Sequence, residues 1–497
     1  MKKMKKGLKT ILVGVLTAVS VLLAACGGNG DGGGGKTLTT IDTPWWTTEG
    51  ELSKNDDGSI NFQNVELRLL TIVTGGDLTP LTDIVNTFNK ANKGKINIEV
   101  EAVNETKYAE QVANRIQFNQ FTPDILMTHT KLQKGLASKE YIQPLDEIIE
   151  ATGYQIDWND YSETFAKDSN LGYANANFIV PIDMQSEVVL YNKQMLEELN
   201  MAVPQTRDEF LAVCEAFKEA NTGKSNMNAV LMPTEKGHFH NYVYPTAYVQ
   251  NGGVLYNEET YKAEWTAEQN LEAFRNANES ILSLQRAGYM KLGEEEESAM
   301  LRFYENKGLF LFIPPWRITS SGQVLENYAK KNGISITASD YMTKICERIG
   351  GMSLARIFAM DSNAASAEYV YVDSHSFSVS NTVKDITKKA ACLEFIMWFT
   401  ENAQVTAKWA EVGHNSCNTK VLNNPEYTES IYISSIAQNF YDVNNIQTVG
   451  SNSYGEDLMS SLKGLSPHLL SQPNQLESLV KSAQDKYNGQ IAFDEDY

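Results

Sequence analysis

Trp316 and Arg317 stand side by side after the short apolar run Phe310–Ile313. An indole face can stack on the apolar face of a pyranose ring, burying a large area at little cost in flexibility; the alternative place for such a ring is a core. The neighbouring guanidinium can fork onto hydroxyls or a carboxylate. Asp77 closes a glycine loop, Thr74–Asp77, where its carboxylate can accept from sugar hydroxyls or an amino group, or cap the helix that follows. His129 and Thr130 come just after another apolar stretch, Asp124–Met127. His238 and His240 are two apart, which on a strand faces both to one side. They lack a third and fourth ligand, so no metal centre is read. The chain has no Gly-x-Ser-x-Gly, His-Glu-x-x-His, P-loop or dinucleotide fingerprint. These residue types suit binding, and they imply no cofactor.

In open α/β sheets ligands sit beyond the carboxyl ends of strands, so the loops after strands decide the chemistry. Val65–Val73 reads as a first strand, apolar on one face through Val65, Leu67 and Leu69 and on the other through Leu70 and Ile72. A sheet covered by helices on both sides produces that pattern. Pro80 opens a helix with Leu81, Ile84, Val85, Phe88 and Ala91 on one face. A strand through Ile96, Ile98 and Val100 follows, then a helix with Tyr108, Val112 and Ile116, then the strand Asp124–Met127. This β-α-β-α-β order predicts an α/β domain with a mostly parallel sheet. The alternation resumes with strands at Glu187–Tyr191 and Phe310–Ile313 and helices at Lys193–Leu199, Thr206–Ala220, Asn270–Gly288 and Lys388–Phe399. Glu294–Glu297, the one dense charge run, reads as a solvated loop. Cys214 and Cys392 sit in apolar helical patterns and read as buried thiols. Cys346 and Cys417 could pair, although their spacing does not demand it, and no Cys-x-x-Cys exists. Trp45, Trp46, Trp265, Trp398 and Trp409 read as structural.

At 497 residues the chain exceeds the roughly 250–300 at which one core stops growing, which predicts two domains. An apolar fraction of 42% with 21% charged residues is that of an ordinary folded protein. A net charge of −20 disfavours nucleic acid as a partner. Residues 1–25 combine a lysine-rich start with the apolar run Ile11–Leu23 and read as a secretory signal. Leu23-Ala24-Ala25-Cys26 resembles the bacterial lipoprotein box, which implies cleavage before Cys26 and attachment there of a diacylglycerol whose two chains anchor stably. Loss of that segment removes five lysines and no acid, moving the charge to −25. Gly27–Gly35, seven of nine glycine, is a flexible tether, and the polar stretch to residue 62 an extension. The expected place is the outer face of a bacterial membrane.

Further motifs give the chain an order. The glycine loop and its helix are followed by Thr122-Pro123-Asp124-Ile125-Leu126, then Ile142-Gln143-Pro144-Leu145-Asp146, then Phe178-Ile179-Val180-Pro181 before Val189-Leu190-Tyr191-Asn192-Lys193. Val203-Pro204-Gln205-Thr206-Arg207-Asp208-Glu209-Phe210, Gln250-Asn251-Gly252-Gly253, Phe303-Tyr304-Glu305-Asn306-Lys307-Gly308 and Pro315-Trp316 come later. Over residues 65–425 this order resembles the family 1 extracellular solute-binding proteins of ABC importers, the group containing maltose-binding protein.

The resemblance implies a two-lobed α/β fold of the periplasmic-binding-protein type II class. Lobes of 65–182 with 362–412 and of 186–358 with 416–497 are expected, with chain crossings near Pro181–Gln185, Ala359–Asn363 and Gly413–Ser416. It implies a monomeric binding protein, not an enzyme. A carbohydrate held between the lobes favours the closed state, the crossings absorb the rotation, and permease subunits receive the ligand. By the same resemblance the ligand residues are Asp77, His129, Thr130, Asp183, Gln185, His240, Asn241, Tyr242, Trp316, Arg317 and His375. His375 falls where the family has a glycine-rich loop, so the shape of that loop and the ligand class stay open. A secreted glycoside hydrolase with paired carboxylates, a surface sensor or adhesin, and a binder of a non-sugar solute such as a peptide are the alternatives.

Overall fold

In the computed structural model, residues 40–235, 237–320, 322–335, 341–452 and 454–495 are described. The expected signal segment 1–25, the lipidation candidate Cys26 and the expected Gly27–Gly35 tether lie outside them. Strand β1 (Val65–Thr71) leads through a 3-10 turn, Gly75–Asp77, to the helix Leu78–Ala91. That helix buries Leu81, Ile84, Val85 and Phe88 against the sheet, and Pro80 is its third residue, not its first. The crossover makes β2 (Ile96–Ala102) parallel to β1, with Val65 opposite Ile96 and Thr71 opposite Ala102. A second crossover helix, Tyr108–Phe118, brings β3 (Ile125–His129) to the other side of β1, again parallel. Next in the chain are β4 (Ile142–Gln143) and β5 (Ile179–Pro181).

The chain then runs through β6 (Asp183–Met184) into a second sheet of β7 (Val188–Asn192), β8 (Asn228–Leu231), β9 (Gly308–Ile313) and β10 (Ile349–Met352). Its order is β10-β7-β9-β8, with only β8 and β9 parallel. All six residues of β9 are buried, because helices cover both faces. Beyond β11 (Val370–Tyr371) the chain re-enters the first sheet as β12 (His375–Ser380), antiparallel to β3, β4 and β5. The first sheet is therefore mixed: β2-β1-β3 are parallel as expected, and β12 reverses the sense. The helices Ile386–Glu401 and Ala403–Ala410 lead to β13 (Asn415–Ser416), which pairs with β6. Finally β14 (Ile446–Gln447) pairs with β11, and the long helices Gly455–Ser471 and Leu476–Glu495 complete the described chain.

The return to the first sheet falls at Asp373–His375, downstream of the expected Ala359–Asn363. Phe358 and Met360 are held by the amides of Gln250 and Asn251 through their backbone N–H groups, at 2.9 and 3.0 Å. The Glu294–Glu297 run is not a solvated loop. Its later members open the helix Glu296–Tyr304; Glu296 accepts from Arg317, and Glu294 pairs with Arg302. Both are buried, because each has an arginine to neutralise it. Cys214, Cys346, Cys392 and Cys417 are all free and buried, so Cys346 and Cys417 do not pair. Trp45 donates to the Ile142 carbonyl at 2.9 Å and stacks on Phe178. Trp46 donates to Glu147 at 2.6 Å, so the two tryptophans fasten the extension to the sheet edge at β4 and to the helix Asp146–Thr152 that follows it. Among the described residues no helix is long and apolar enough to cross a membrane.

Candidate functional site

Strand register builds the first part of the site. His129 ends β3 and His375 begins β12, directly opposite each other in the ladder. Opposed residues point to the same face, and the two imidazoles stack with centroids 4.8 Å apart. Asp183, fully buried on β6, anchors His375 from below. Its Oδ1 accepts the His375 backbone N–H at 2.8 Å, and its Oδ2 lies 2.9 Å from His375 Nδ1. Burial alone would raise the Asp183 carboxyl. The charge and hydrogen bonds of His375, with His414 adding to them, outweigh burial and hold it well below the usual carboxylate range. The same pairing overcomes burial at His375 and raises its imidazole. Trp409 Nε1–H also donates to Asp183 Oδ2, at 2.8 Å.

A second layer meets this one. His414 follows Gly413, whose φ of +101° favours glycine. A Cβ there would come within 2.2 Å of the Trp316 backbone nitrogen, so glycine also permits the close approach of the Pro315–Ser320 helix. His414 lies parallel to Trp409 with centroids at 4.1 Å, and on its other side parallel to Trp316 at 6.4 Å. Its Nε2 is 3.5 Å from Asp77 Oδ2 and its Nδ1 3.6 Å from Asp183 Oδ2. Asp77 makes no side-chain cap hydrogen bond, so its carboxylate faces the site instead of the helix start.

A third layer is ionic. Lys131 Nζ lies 2.8 Å from Asp373 and 3.3 Å from Glu456, while His129 Nδ1 is 3.2 Å from the same Asp373 oxygen. Burial would lower the Lys131 amine, but Asp373 and Glu456 raise it well above its ordinary value. Burial dominates at His129 and pushes its imidazole down to about 4, against the pull of Asp373. Tyr242 adds a buried wall, its ring 6.1 Å from Trp316 and 6.3 Å from Tyr371.

The structure thus brings together Asp77, His129, Asp183, Gln185, Tyr242, Trp316 and His375. Gln185 donates to Asp183 Oδ1 at 3.2 Å, and its backbone exchanges two 2.8 Å hydrogen bonds with Asp373. Thr130 is buried and spends its hydroxyl on Ser374 at 2.6 Å. Arg317 turns to Glu296, 2.6 Å away. His238 precedes and His240 lies within a π-turn, Phe239–Val243, and not a strand. Two residues on a helical path point about 200° apart. Accordingly His238 meets Glu296 at 3.0 Å, while His240 turns the other way to Ser466 at 2.7 Å and the Thr234 carbonyl at 3.1 Å. Asn241 is half-buried beside Tyr242. His414, Lys131, Asp373 and Trp409 complete the site without having been singled out. His414 lay inside an expected crossing, which was the available signal.

Burial lowers the His240 imidazole to about 4, although the Thr234 carbonyl pulls it up. An unfolded chain therefore binds a proton below about 6.5 that the folded one refuses until about 4. The stability this neutral imidazole contributes is present above pH 6.5 and lost as pH falls to 4. The expected result is that His240→Gln shows a shallower decline of unfolding free energy over that window, by about 1–3 kcal/mol in total, in urea titrations at stepped pH.

Comparison with known proteins supplies the frame. The family model of the bacterial extracellular solute-binding proteins matches residues 83–432. No curated protein sequence matches the chain significantly. The fold matches the sugar-binding protein MalE of Xanthomonas citri with a TM-score of 0.66 at 13% identity, covering 87% of this chain and 98% of that one. It also matches the GacH receptor of Streptomyces glaucescens GLA.O, known unliganded and with acarbose, at 0.62 and 15% over 87% and 99%. The cyclic α-maltosyl-1,6-maltose binding protein of Arthrobacter globiformis gives 0.62 and 14% over 86% and 99%. Two sheets joined by repeated crossings, with the site where the crossings meet, are thus the two-lobed α/β binding-protein fold. The chain belongs to the bacterial extracellular solute-binding proteins, which work outside the cytoplasm.

Proposed function

We propose that the protein captures a carbohydrate between its lobes and delivers it to the permease subunits of an ABC importer, as a monomer anchored through a lipidated Cys26. One lobe is built on the first sheet and holds the extension; the other is built on the second sheet and carries the C-terminal helices. Asp183, Asp373–His375 and Gly413–Ser416 mark the hinge. The observation that carries the reading is the half-buried Trp316 ring set among carboxylates, imidazoles and an ammonium drawn from both lobes. A saccharide presents an apolar ring face and a rim of hydroxyls, each a donor and an acceptor. The indole and Tyr242 suit the ring face; Asp77 and Glu105, whose carboxylate lies 3.4 Å from His129 Nε2, accept from hydroxyls, and Lys131 and His129 donate to them.

Ligand that touches both lobes stabilises their apposition over their separation, because only the apposed state makes both sets of contacts. No bond in the ligand is cleaved. The relatives of similar fold that bind acarbose and maltosyl saccharides support this ligand class. Calorimetric titration of a panel of maltodextrins, cyclic glucans, monosaccharides and short peptides tests it. One saccharide class should bind at one site per chain, raise the melting temperature and be recovered intact. Binding by a peptide alone, or release of a shorter sugar, would sink the proposal.

A further inference from the structure

Three chain crossings lie side by side in this fold, and each contributes one side chain to a common point. Asp183 comes from β6, His375 from the start of β12 and His414 from the residue before β13. Pairing of Ser416 with Asp183, and of Gln185 with Asp373, fixes the three segments in register. Among the described residues these are the one group of three metal-ligating side chains whose donor atoms all fall within 4.8 Å of one another. All three residues are at least nine-tenths buried, at 0, 5 and 4% exposure.

The geometry points to a divalent-cation site of the zinc class held by Asp183 Oδ2, His375 Nδ1 and His414 Nδ1, which requires the Gln185 amide, 2.5 Å from His375 Nδ1, to turn aside for the ion. Zinc bonds of about 2.0–2.2 Å to nitrogen and oxygen give a tetrahedron whose donors are about 3.3 Å apart. The separations from Asp183 Oδ2, 2.9 Å to His375 and 3.6 Å to His414, bracket that edge. An independent observation is that both ring nitrogens of His414 are buried without a hydrogen-bond partner. Such groups are costly unless something satisfies them, and a cation on Nδ1 does so.

The surroundings are those of a metal site's outer shell. Asp77 stands 3.5 Å from His414 Nε2, near enough to steady the ring once a cation holds Nδ1. Trp409 holds the Asp183 oxygen, and the His375 backbone N–H holds its partner. Two imidazoles and one carboxylate suit zinc over calcium or magnesium, which prefer oxygen ligands throughout. A fourth position remains for water or a ligand oxygen. Because each ligand belongs to a different crossing, the cation would staple the hinge. This inference stands on the three side chains alone and does not require the ligand of the cleft to be a sugar.

The test uses the full-length protein freed of metal by a chelator and titrated with zinc chloride in a calorimeter. One equivalent should bind, with a melting temperature that climbs with zinc concentration. His414→Ala and His375→Ala should each weaken binding at least tenfold, whereas His468→Ala, on an exposed helix position, should not. Cobalt(II) added to the unsubstituted protein should give the intense visible bands of a tetrahedral centre, a readout that does not depend on the variants folding. The absence of saturable one-to-one binding, equal affinity in the histidine variants, or only the weak bands of octahedral cobalt would overturn the proposal. Each would leave Asp183 and His375 as a directly hydrogen-bonded pair.

Discussion

Asp183→Ala is expected to lower the free energy of unfolding by about 3–5 kcal/mol, the largest effect of any single truncation in the site. The carboxylate is fully buried and accepts from the Trp409 indole and the His375 backbone, with two imidazoles beside it. Truncation leaves those donors facing a cavity, and a buried donor without an acceptor carries its whole desolvation cost. It also removes the negative charge that raises the His375 imidazole above its ordinary value. Asp183→Asn keeps the volume and one acceptor, so it should fall between the two. Urea denaturation monitored by tryptophan fluorescence ranks the three proteins. Equal stability of Asp183→Ala and the unsubstituted chain would show that the crossings do not depend on this carboxylate.

Trp316→Ala is the second large expectation, and its readout is affinity. A buried aromatic anchor at the centre of a contact surface is worth about 2 kcal/mol or more, so saccharide binding should weaken roughly 30-fold or beyond. Stability should suffer less than in Asp183→Ala, because Trp316 is only half-buried and its neighbours His238 and Tyr242 meet it edge-on. Trp316→Phe retains a flat face and should recover part of the loss. Unchanged affinity in Trp316→Ala, with the fold intact by circular dichroism, would remove the ring from the site.

The elements were legible where apolar periodicity alone decides them. The helix Leu78–Ala91 shows its face in Leu81, Ile84, Val85 and Phe88, and β1, apolar on both faces, announced a sheet covered on both sides. The antiparallel entry of β12 was not legible, because strand direction depends on where a distant crossing returns the chain. Site residues divide the same way. Asp77 closes a strand-to-helix loop and His129 ends a strand at the start of a helix, where a rule about sheets finds them. His414 and Lys131 depend on pairing between segments far apart in the chain, and single-residue reasoning does not reach that. Trp409 read as structural, and it is buried as a core ring is; its indole N–H nevertheless supports the site's central carboxylate. Glu296 misled because four consecutive glutamates resemble a solvated surface until Arg317 and His238 are placed around one of them.

The fastening of the extension has a mechanical consequence. Trp45 grips the first sheet at Ile142 and Trp46 the adjoining helix at Glu147, Glu49 pairs through its backbone with Asp385, and Lys389 donates to Thr47 and Thr48. Any load entering the chain at residue 40 passes through these attachments into β4 and the helices Asp146–Thr152 and Ile386–Glu401, before it can reach Asp183 or Gly413. Tension on residue 40 is therefore taken up by β4 and the two helices beside it, which serve as its anchorage.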